Sequence, residues 1–221
     1  MSSQKEEFRS GEGDAWFARN RAAGPLLAGS HSATALLRAA GAAPANLLEI
    51  GCSNGAMLAS LCSELGCAGA GIDPSSAAIA QGRERFPALR LEVATAERLP
   101  FADAQFDCVV FGFCLYLCDR DDLFRIAAEA HRVLADPGWL LVTDFLPPFA
   151  YRNRYSHRAG IDSFKMDYSR LFTWNPEYVE VRRELFAHAQ GTALDDADAR
   201  MGHVLIRRNG ADAWPLAPFG R

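Results

Sequence analysis

The sequence predicts an α/β fold in which a mostly parallel sheet is covered by helices on both faces. Between residues 46 and 145, short apolar runs typical of buried strands alternate with segments of helical periodicity. This alternation implies parallel strands joined by right-handed crossovers. The last two apolar runs follow each other without a helix, so we expect them to pair antiparallel. The 221 residues are 49% hydrophobic, and a chain of this length buries about 70% of its unfolded surface in one core.

The first two predicted strands each end in a turn that opens a helix. Residues 47–51 form a compact apolar run, and residues 55–65 follow with apolar side chains at helical spacing. Residues 67–73 are the second strand. Pro74 then stands where a first helical residue belongs, a position that proline favours, and the helix continues to about residue 86.

Five further strands and one long helix complete the predicted sheet. Residues 89–94 alternate between apolar and polar side chains, and residues 106–111 are nearly all apolar, as expected of a strand covered on both faces. The motif Asp136-Pro137-Gly138 is expected to separate the next helix from the fifth strand. The remaining assignments are a helix over 121–134 and strands over 139–145, 178–186 and 201–208.

The rest of the chain falls outside this regular pattern. We expect residues 1–45 to form an N-terminal helical cap, residues 46–208 to form the main domain with a lid-like insertion at 147–177, and residues 209–221 to form a C-terminal tail. The insertion interleaves cations with aromatic side chains. Arginine suits carboxylates and phosphates, so the insertion either closes over an anionic or aromatic ligand or is a solvated surface loop.

Composition argues against several classes of protein. The net charge of −4 disfavours binding to a nucleic-acid backbone, which needs clustered cations. No apolar run approaches the ~20 residues of a membrane span, and the polar N-terminus has no signal-peptide core. The six cysteines form no CxxC pair, so we expect buried thiols in a reducing cytoplasm and no metal site.

Glycine and acidic residues follow the ends of the first two predicted strands. Ligands of open parallel sheets bind at the carboxyl ends of the strands. The first strand ends in Glu49-Ile-Gly51-Cys-Ser-Asn-Gly55, a turn that lets a ligand approach the backbone at a helix N-terminus. It lacks the GxGxxG spacing of a dinucleotide site. Asp73 ends the second strand, where a carboxylate can accept both hydroxyls of a ribose, although an Asp before Pro is also a common helix cap.

These motifs, taken in order, resemble the class I S-adenosylmethionine-dependent methyltransferases over about residues 46 to 145. The resemblance rests on the Glu49–Gly55 loop, Gly71-Ile-Asp73, Ala96-Glu97-Arg-Leu-Pro-Phe101, Phe106-Asp107-Cys-Val-Val and Arg132-Val-Leu-Ala-Asp-Pro-Gly138. It implies a Rossmann-like three-layer sandwich with a seven-stranded, mostly parallel sheet and an antiparallel last strand. Ser53 departs from the family's commonest ExGxGxG form, and Thr95 stands near a position where the family often carries Asp.

The resemblance also implies S-adenosylmethionine as the cofactor and a role for each motif. Glu49 and the loop would hold the methionine end, Asp73 the ribose, and Phe113 would line the methyl-donor pocket. Pro74, Thr95, Ala96 and Glu97 would lie around the adenine. The cofactor-binding candidates are therefore Glu49, Gly51, Cys52, Ser53, Asn54, Gly55, Asp73, Pro74, Thr95, Ala96, Glu97 and Phe113.

The sequence does not single out a catalytic base. Tyr116, Asp144 and His157 are the candidates, because a hydroxyl or carbon acceptor needs its proton removed. Each has an ordinary structural alternative: a packing aromatic, a turn cap and a solvated loop histidine. Trp16 and Phe17 of the cap either cover the cofactor or pack an amphipathic helix on the core.

We expect a methyltransferase that acts on a small-molecule acceptor, as a monomer or homodimer. Two alternatives stay open. One is a methyltransferase for RNA or protein, which the acidic balance disfavours, and the other is a non-methylating nucleotide-binding protein such as an NAD enzyme.

Overall fold

The computed structural model describes residues 3–21, 27–188 and 193–216. Seven strands form one sheet in the order β3-β2-β1-β4-β5-β9-β8, and β6 and β7 form a separate hairpin. The strands are β1 Asn46–Ile50, β2 Ala68–Asp73, β3 Arg90–Val93, β4 Phe106–Gly112, β5 Leu134–Phe145, β6 Tyr151–Arg154, β7 Asp162–Lys165, β8 Tyr178–Ala187 and β9 Arg200–Arg208.

Helices cover both faces of this sheet. They are α1 Gln4–Glu7, α2 Gly13–Asn20, α3 Leu27–Ala39, α4 Ala56–Leu65, α5 Ser76–Arg85, α6 Leu123–Val133, α7 Arg170–Thr173 and α8 Gly210–Ala213, with a π-helical turn at Phe8–Glu12 and 3₁₀ turns at Leu115–Leu117 and Arg120–Asp122. None of the helices described in these three ranges is both long enough and apolar enough to cross a membrane.

The buried side chains divide into two clusters, one on each face of the sheet. Leu37, Leu61 and Ile79 bring α3, α4 and α5 onto one face, and Ile126 and Phe172 bring α6 and α7 onto the other. The three-layer arrangement predicted from the sequence is confirmed.

The directions of the strands agree with the prediction. Strands β3, β2, β1, β4 and β5 pair in parallel. Strand β9 is antiparallel to β5 on one side and to β8 on the other. The last strand of the chain is therefore inserted antiparallel within the sheet, as expected.

Strand β5 begins earlier than predicted. Leu134 already pairs with Phe106, and the register shifts before Trp139 pairs with Cys108. Asp136-Pro137-Gly138 therefore forms an irregularity inside the strand and does not separate it from the helix. The reason is that ladder pairing resumes on the same neighbouring strand, as it does around a β-bulge.

Candidate functional site

A cavity of about 840 Å³, a volume that includes its solvent-filled mouth, opens where β1, β2 and β4 end. This is the edge at which open parallel sheets bind ligands. Its walls come from the strand ends, from the N-terminal cap and from the turns after β4. The lining residues are Lys5, Phe8, Gly13, Trp16, Ile50, Gly51, Ile72, Asp73, Pro74, Ala94, Thr95, Ala96, Glu97, Gly112, Phe113, Cys114, Leu117, Cys118, Asp119, Asp122 and Ile126.

The glycine loop between β1 and α4 forms one end of the cavity. Gly51 has a φ of +80° and Ser53 a φ of +49°, so both lie in the left-handed region that glycine adopts more readily than serine. An added Cβ at Gly51 would lie 2.5 Å from the Cβ of Cys114. The backbone nitrogens of Gly51 and Cys52 both donate to the carbonyl of Ile72 at 2.9 Å. The loop is thereby held tightly against β2.

Glu49 lies directly beneath the cavity floor. Its side chain is buried, and its Oε2 atom has no hydrogen-bond partner in the described residues. An added Cβ at Gly112, which lines the cavity, would lie 2.4 Å from Oε1 of Glu49. Burial and, to a smaller extent, the nearby charge of Asp73 raise the pKa of Glu49 to about 8. A backbone hydrogen bond from Leu58 opposes this rise. An unpartnered buried carboxylate of this kind calls for a cationic ligand.

Asp73 opens into the same cavity from the end of β2. Its Oδ2 accepts from the backbone nitrogen of Ser53 at 2.8 Å, and its Oδ1 accepts from that of Ser75 at 2.9 Å. Burial raises its pKa to about 6, while these two hydrogen bonds oppose the rise. Each oxygen keeps a second lone pair for a ligand hydroxyl.

The turn after β3 meets the N-terminal cap at the opposite rim. Thr95 donates to Glu97 at 2.8 Å. The ammonium of Lys5 lies 2.7 Å from Asp122 and 3.6 Å from Glu97, and Asp119 accepts the backbone N–H groups of Gln4 and Lys5 at 2.8 and 2.9 Å. These contacts fasten helix α1 over the cavity.

Phe113 forms the wall after β4. Its φ is +60°, an unusual conformation for a bulky residue. Its ring lies 4.7 Å from that of Tyr116, 4.9 Å from that of Phe145 and 5.6 Å from that of His188, which it stacks on. Packing on three sides fixes the ring at the cavity edge.

Acidic side chains outnumber basic ones in the described, mostly apolar cavity wall. Asp73, Glu97, Asp119 and Asp122 face one lysine there, and Glu49 lies just below. A charged wall attracts ligands of the opposite charge and repels ligands of the same charge. The wall therefore suits a positively charged sulfonium compound and disfavours a dinucleotide with its two phosphates.

Seven of the predicted cofactor-binding residues line the cavity: Gly51, Asp73, Pro74, Thr95, Ala96, Glu97 and Phe113. Glu49, Cys52, Ser53, Asn54 and Gly55 lie behind or beside this wall. The role of each stays a prediction, but the structure brings the set together at one edge of the sheet.

The three candidate bases lie outside the lining of this cavity. Tyr116 is buried against Phe113, and burial raises its pKa well above the usual range. Asp144 accepts the backbone N–H groups of Leu115, Tyr116 and Phe145. His157 is exposed, with its ring against that of Tyr155. Catalysis by any of the three stays a prediction, and each has a structural role of its own.

The cap and the insertion bind each other over the site. Trp16 lines the cavity while Phe17 is buried in the core, so packing of this helix on the core is observed and its role as a cover for the cofactor stays a prediction. Buried Glu12 accepts from Arg19 and, at 3.1 Å, from the hydroxyl of Tyr155 in the insertion. Phe8, Lys5, Asp119 and Asp122 are site residues that sequence reasoning missed, because nothing local marks a contact made across more than 100 residues.

Carboxylates neutralise several cations of the insertion. Arg158 pairs with Glu7 at 2.6 Å, Arg152 with Asp162 at 3.2 Å, Arg170 with Asp167 at 3.8 Å and Lys165 with Asp198 at 2.7 Å. Lys165 is also buried, with its ammonium 3.7 Å from the centre of the Phe145 ring. Little of this positive charge is left for an anionic ligand.

The cavity lies at the switch point of the parallel sheet, with a glycine loop at one end and a strand-end aspartate at the other. Residues 47–138 match the family model described as a methyltransferase domain. The matched segment is less than half of the 221 residues, and it contains the glycine loop and Asp73.

Two curated methyltransferases are similar to part of this chain. Demethylmenaquinone methyltransferase of Chlorobaculum parvum is 29% identical over 119 residues, 54% of this chain and 47% of the relative. The ubiquinone/menaquinone biosynthesis C-methyltransferase UbiE of Vibrio cholerae is 45% identical over 56 residues, 25% of this chain and 20% of the relative. The chain thus spans less than half the length of these curated relatives.

Solved structures share the fold. The 1,6-didemethyltoxoflavin-N1-methyltransferase of Burkholderia thailandensis, with bound 1,6-didemethyltoxoflavin and S-adenosylhomocysteine, superposes with a TM-score of 0.70 at 18% identity, over 93% of this chain and 87% of that one. The N-methyltransferase NodS of Bradyrhizobium japonicum, in complex with S-adenosylhomocysteine, has a TM-score of 0.63 at 23% identity, over 83% of this chain and 88% of that one.

Proposed function

We propose that the chain transfers the sulfonium methyl group of S-adenosylmethionine to a small-molecule acceptor. The observation that carries the proposal is the pair of carboxylates at one cavity: Asp73 in its wall and Glu49 beneath Gly112, with an oxygen that lacks a partner. One suits a ribose diol and the other an ammonium group, the two polar ends of this cofactor.

The residues present fit the cofactor. Glu49 would accept from its amino group, and Asp73 would accept from the ribose hydroxyls. Pro74, Ala96 and the Thr95–Glu97 turn would lie around the adenine. When bound, the cofactor supplies an already activated methyl group, so the protein's contribution is mainly position.

The cavity favours a flat, apolar acceptor over an anionic one. Phe8, Trp16 and Phe113 are lining residues, and aromatic faces stack well on planar ligands. The ion pairs of the insertion leave few cations to bind a phosphate or a carboxylate. The names of the curated relative from Chlorobaculum parvum and of the enzyme from Burkholderia thailandensis support a small-molecule acceptor.

Tyr116, Asp144 and His157 remain the candidates for proton removal. Since burial keeps Tyr116 protonated, we expect it to donate a hydrogen bond and not to act as a base. An amine or thiol acceptor would need no base once it is deprotonated.

Calorimetry tests the cofactor assignment directly. Titration with S-adenosylmethionine, S-adenosylhomocysteine and NAD should give binding of the first two and none of the third. Binding of NAD without a response to the other two would overturn the proposal. Mass spectrometry of small aromatic compounds, an RNA pool and a peptide pool incubated with the chain and S-adenosylmethionine then separates the acceptor classes by where a methyl group is gained.

A further inference from the structure

Two cysteines that have no part in the proposed chemistry lie in the cavity wall. Cys114 and Cys118 are both lining residues, on either side of the 3₁₀ turn Leu115–Leu117. The Cys118 sulfur lies 3.5 Å from the Cys114 carbonyl oxygen, to which it donates, so it is folded back against the other cysteine. Two cysteines can be joined by a disulfide when their Cα atoms lie within about 7 Å of each other, a spacing that one short turn allows.

Cys114 also supports the glycine loop. Its Sγ donates to the carbonyl oxygen of Ile50 at 3.3 Å. An added Cβ at Gly51 would lie 2.9 Å from the same sulfur, so the Cys114 side chain fills the space beside the loop. The position of this sulfur and the shape of the loop are therefore linked.

We propose that Cys114 and Cys118 are a modification site. A hydroperoxide converts the two thiols to a disulfide, and the disulfide weakens binding of the cofactor. The disulfide would take the S–H donor away from the Ile50 carbonyl and draw the sulfur from beside Gly51. The loop that holds the amino-acid end of the cofactor would lose its support. The inference rests on the proposed function only because its test uses S-adenosylhomocysteine, the product of the cofactor, as the probe.

The chemistry balances with hydrogen peroxide as the oxidant. The Cys118 thiolate attacks one peroxide oxygen, the O–O bond breaks, and the sulfur becomes a sulfenic acid while hydroxide leaves and takes up a proton as water. The Cys114 sulfur then displaces the sulfenic oxygen, which leaves as a second water, and the S–S bond forms. The two sulfurs lose two electrons in total, and the peroxide gains them. The Cys114 sulfur already donates to the Ile50 carbonyl oxygen beside the glycine loop, so the first attack is placed at Cys118.

A second thiol pair in the same chain provides a matched control. The backbone N–H of Cys67 donates to the carbonyl oxygen of Cys62 at 3.2 Å, so these two cysteines also lie on one short turn. They lie at the far end of α4 and in the turn before β2, and neither is among the residues that line the cavity. A disulfide there would leave the glycine loop untouched.

The experiment oxidises the full chain with hydrogen peroxide, maps disulfides by mass spectrometry and measures the affinity for S-adenosylhomocysteine by calorimetry before oxidation, after it and after reduction with dithiothreitol. Each variant is compared with its own reduced form. In the wild type we expect a 114–118 disulfide and a loss of affinity of about tenfold or more, ~1.4 kcal/mol, restored by dithiothreitol. Cys118→Ser and Cys118→Ala should lose this response, and Cys62→Ser should keep it.

Three outcomes would overturn the inference: no 114–118 disulfide, a disulfide without loss of affinity, or an equal loss in the Cys118 variants. Failure of the reduced wild type to bind S-adenosylhomocysteine would count against the proposed function instead. The disulfide map is read without cofactor, so the two failures are distinguishable.

Discussion

The Oδ2 atom of Asp73 accepts a hydrogen bond of 2.8 Å from the backbone nitrogen of Ser53, and this contact joins the end of β2 to the glycine loop after β1. The same carboxylate faces the cavity. One side chain therefore both shapes the loop and presents acceptors to a ligand, so its removal should affect both ends of the cofactor site.

Replacing Asp73 with Asn or Ala should weaken binding of S-adenosylhomocysteine by at least about tenfold, because charge-assisted hydrogen bonds contribute ~1.5–3 kcal/mol. Calorimetry at pH 7.5 measures the change. Asp107→Asn is the matched control, because Asp107 accepts two backbone N–H groups at 2.9 Å and does not line the cavity. An affinity that Asp73→Ala leaves unchanged would show the ribose assignment to be wrong.

Glu49→Gln should lower cofactor affinity and reduce proton release on binding. The pKa of Glu49 is raised to about 8, so below that pH the carboxyl is largely protonated and a cationic ligand must displace its proton. Calorimetric titrations with the cofactor in two buffers of different ionisation enthalpy measure the number of protons released on binding. At pH 7 the wild type should release protons, and the variant should release fewer. Glu92→Gln, which changes an exposed ion pair with Arg83, should behave like the wild type.

The same substitution should have the opposite effect on stability. A carboxyl whose pKa rises from 4.5 to about 8 on folding contributes stability that is complete below 4.5 and is lost as the pH rises through 8. Glu49→Gln removes this loss. The ligand-free variant should therefore gain in thermal midpoint relative to the wild type as the pH goes from 6 to 9. A constant difference between the two proteins across this range would contradict the assignment of the raised pKa.

Tyr155→Phe should speed release of the cofactor while leaving the fold intact. The Tyr155 hydroxyl lies 3.1 Å from Glu12 and 2.9 Å from Arg19, so its loss loosens the insertion from the cap. We expect stopped-flow dissociation of S-adenosylhomocysteine to be faster by about fivefold, ~1 kcal/mol for one hydrogen bond. Tyr151→Phe, which loses a hydroxyl bound to Asp198 at 2.9 Å, is the control, and equal rates in both variants would argue against the link.

Asp144→Asn separates a structural role from a catalytic one. The Asp144 carboxylate accepts three backbone N–H groups at 2.7, 2.9 and 3.3 Å, and an amide NH₂ group cannot accept. We expect a fall of ~1–3 kcal/mol in the free energy of unfolding, measured by urea denaturation. A stable variant without activity would instead mark Asp144 as the base.

The sequence predicted the sheet because its strands are marked locally. The run 106–111 is apolar on both faces, and Pro74 and Gly66 punctuate the helices. The number of strands and the antiparallel insertion of the last one followed from the resemblance. The start of β5 was missed because a proline motif that usually ends an element lies inside this strand.

The strand ends that form the cofactor side of the site were predictable from the sequence. The contacts of the N-terminal cap and the insertion, which cover that side, were not. Glu49 and Asp73 end strands, so their positions follow from the sheet. Lys5 and Tyr155 reach the site through contacts with Asp122 and Glu12, and such pairings leave no local pattern. The same limit applies to the insertion, whose cations suggested an anion site until their partners could be seen.

The described lining of the cavity is drawn entirely from Lys5 to Ile126, whereas the insertion and the strand pair β8–β9 follow residue 145. Residues 5–126 therefore supply the whole described wall, including the aromatic side chains of Phe8, Trp16 and Phe113. Exchange of the later stretch between homologues would keep this wall and change only what packs on it, such as Tyr155 against Glu12.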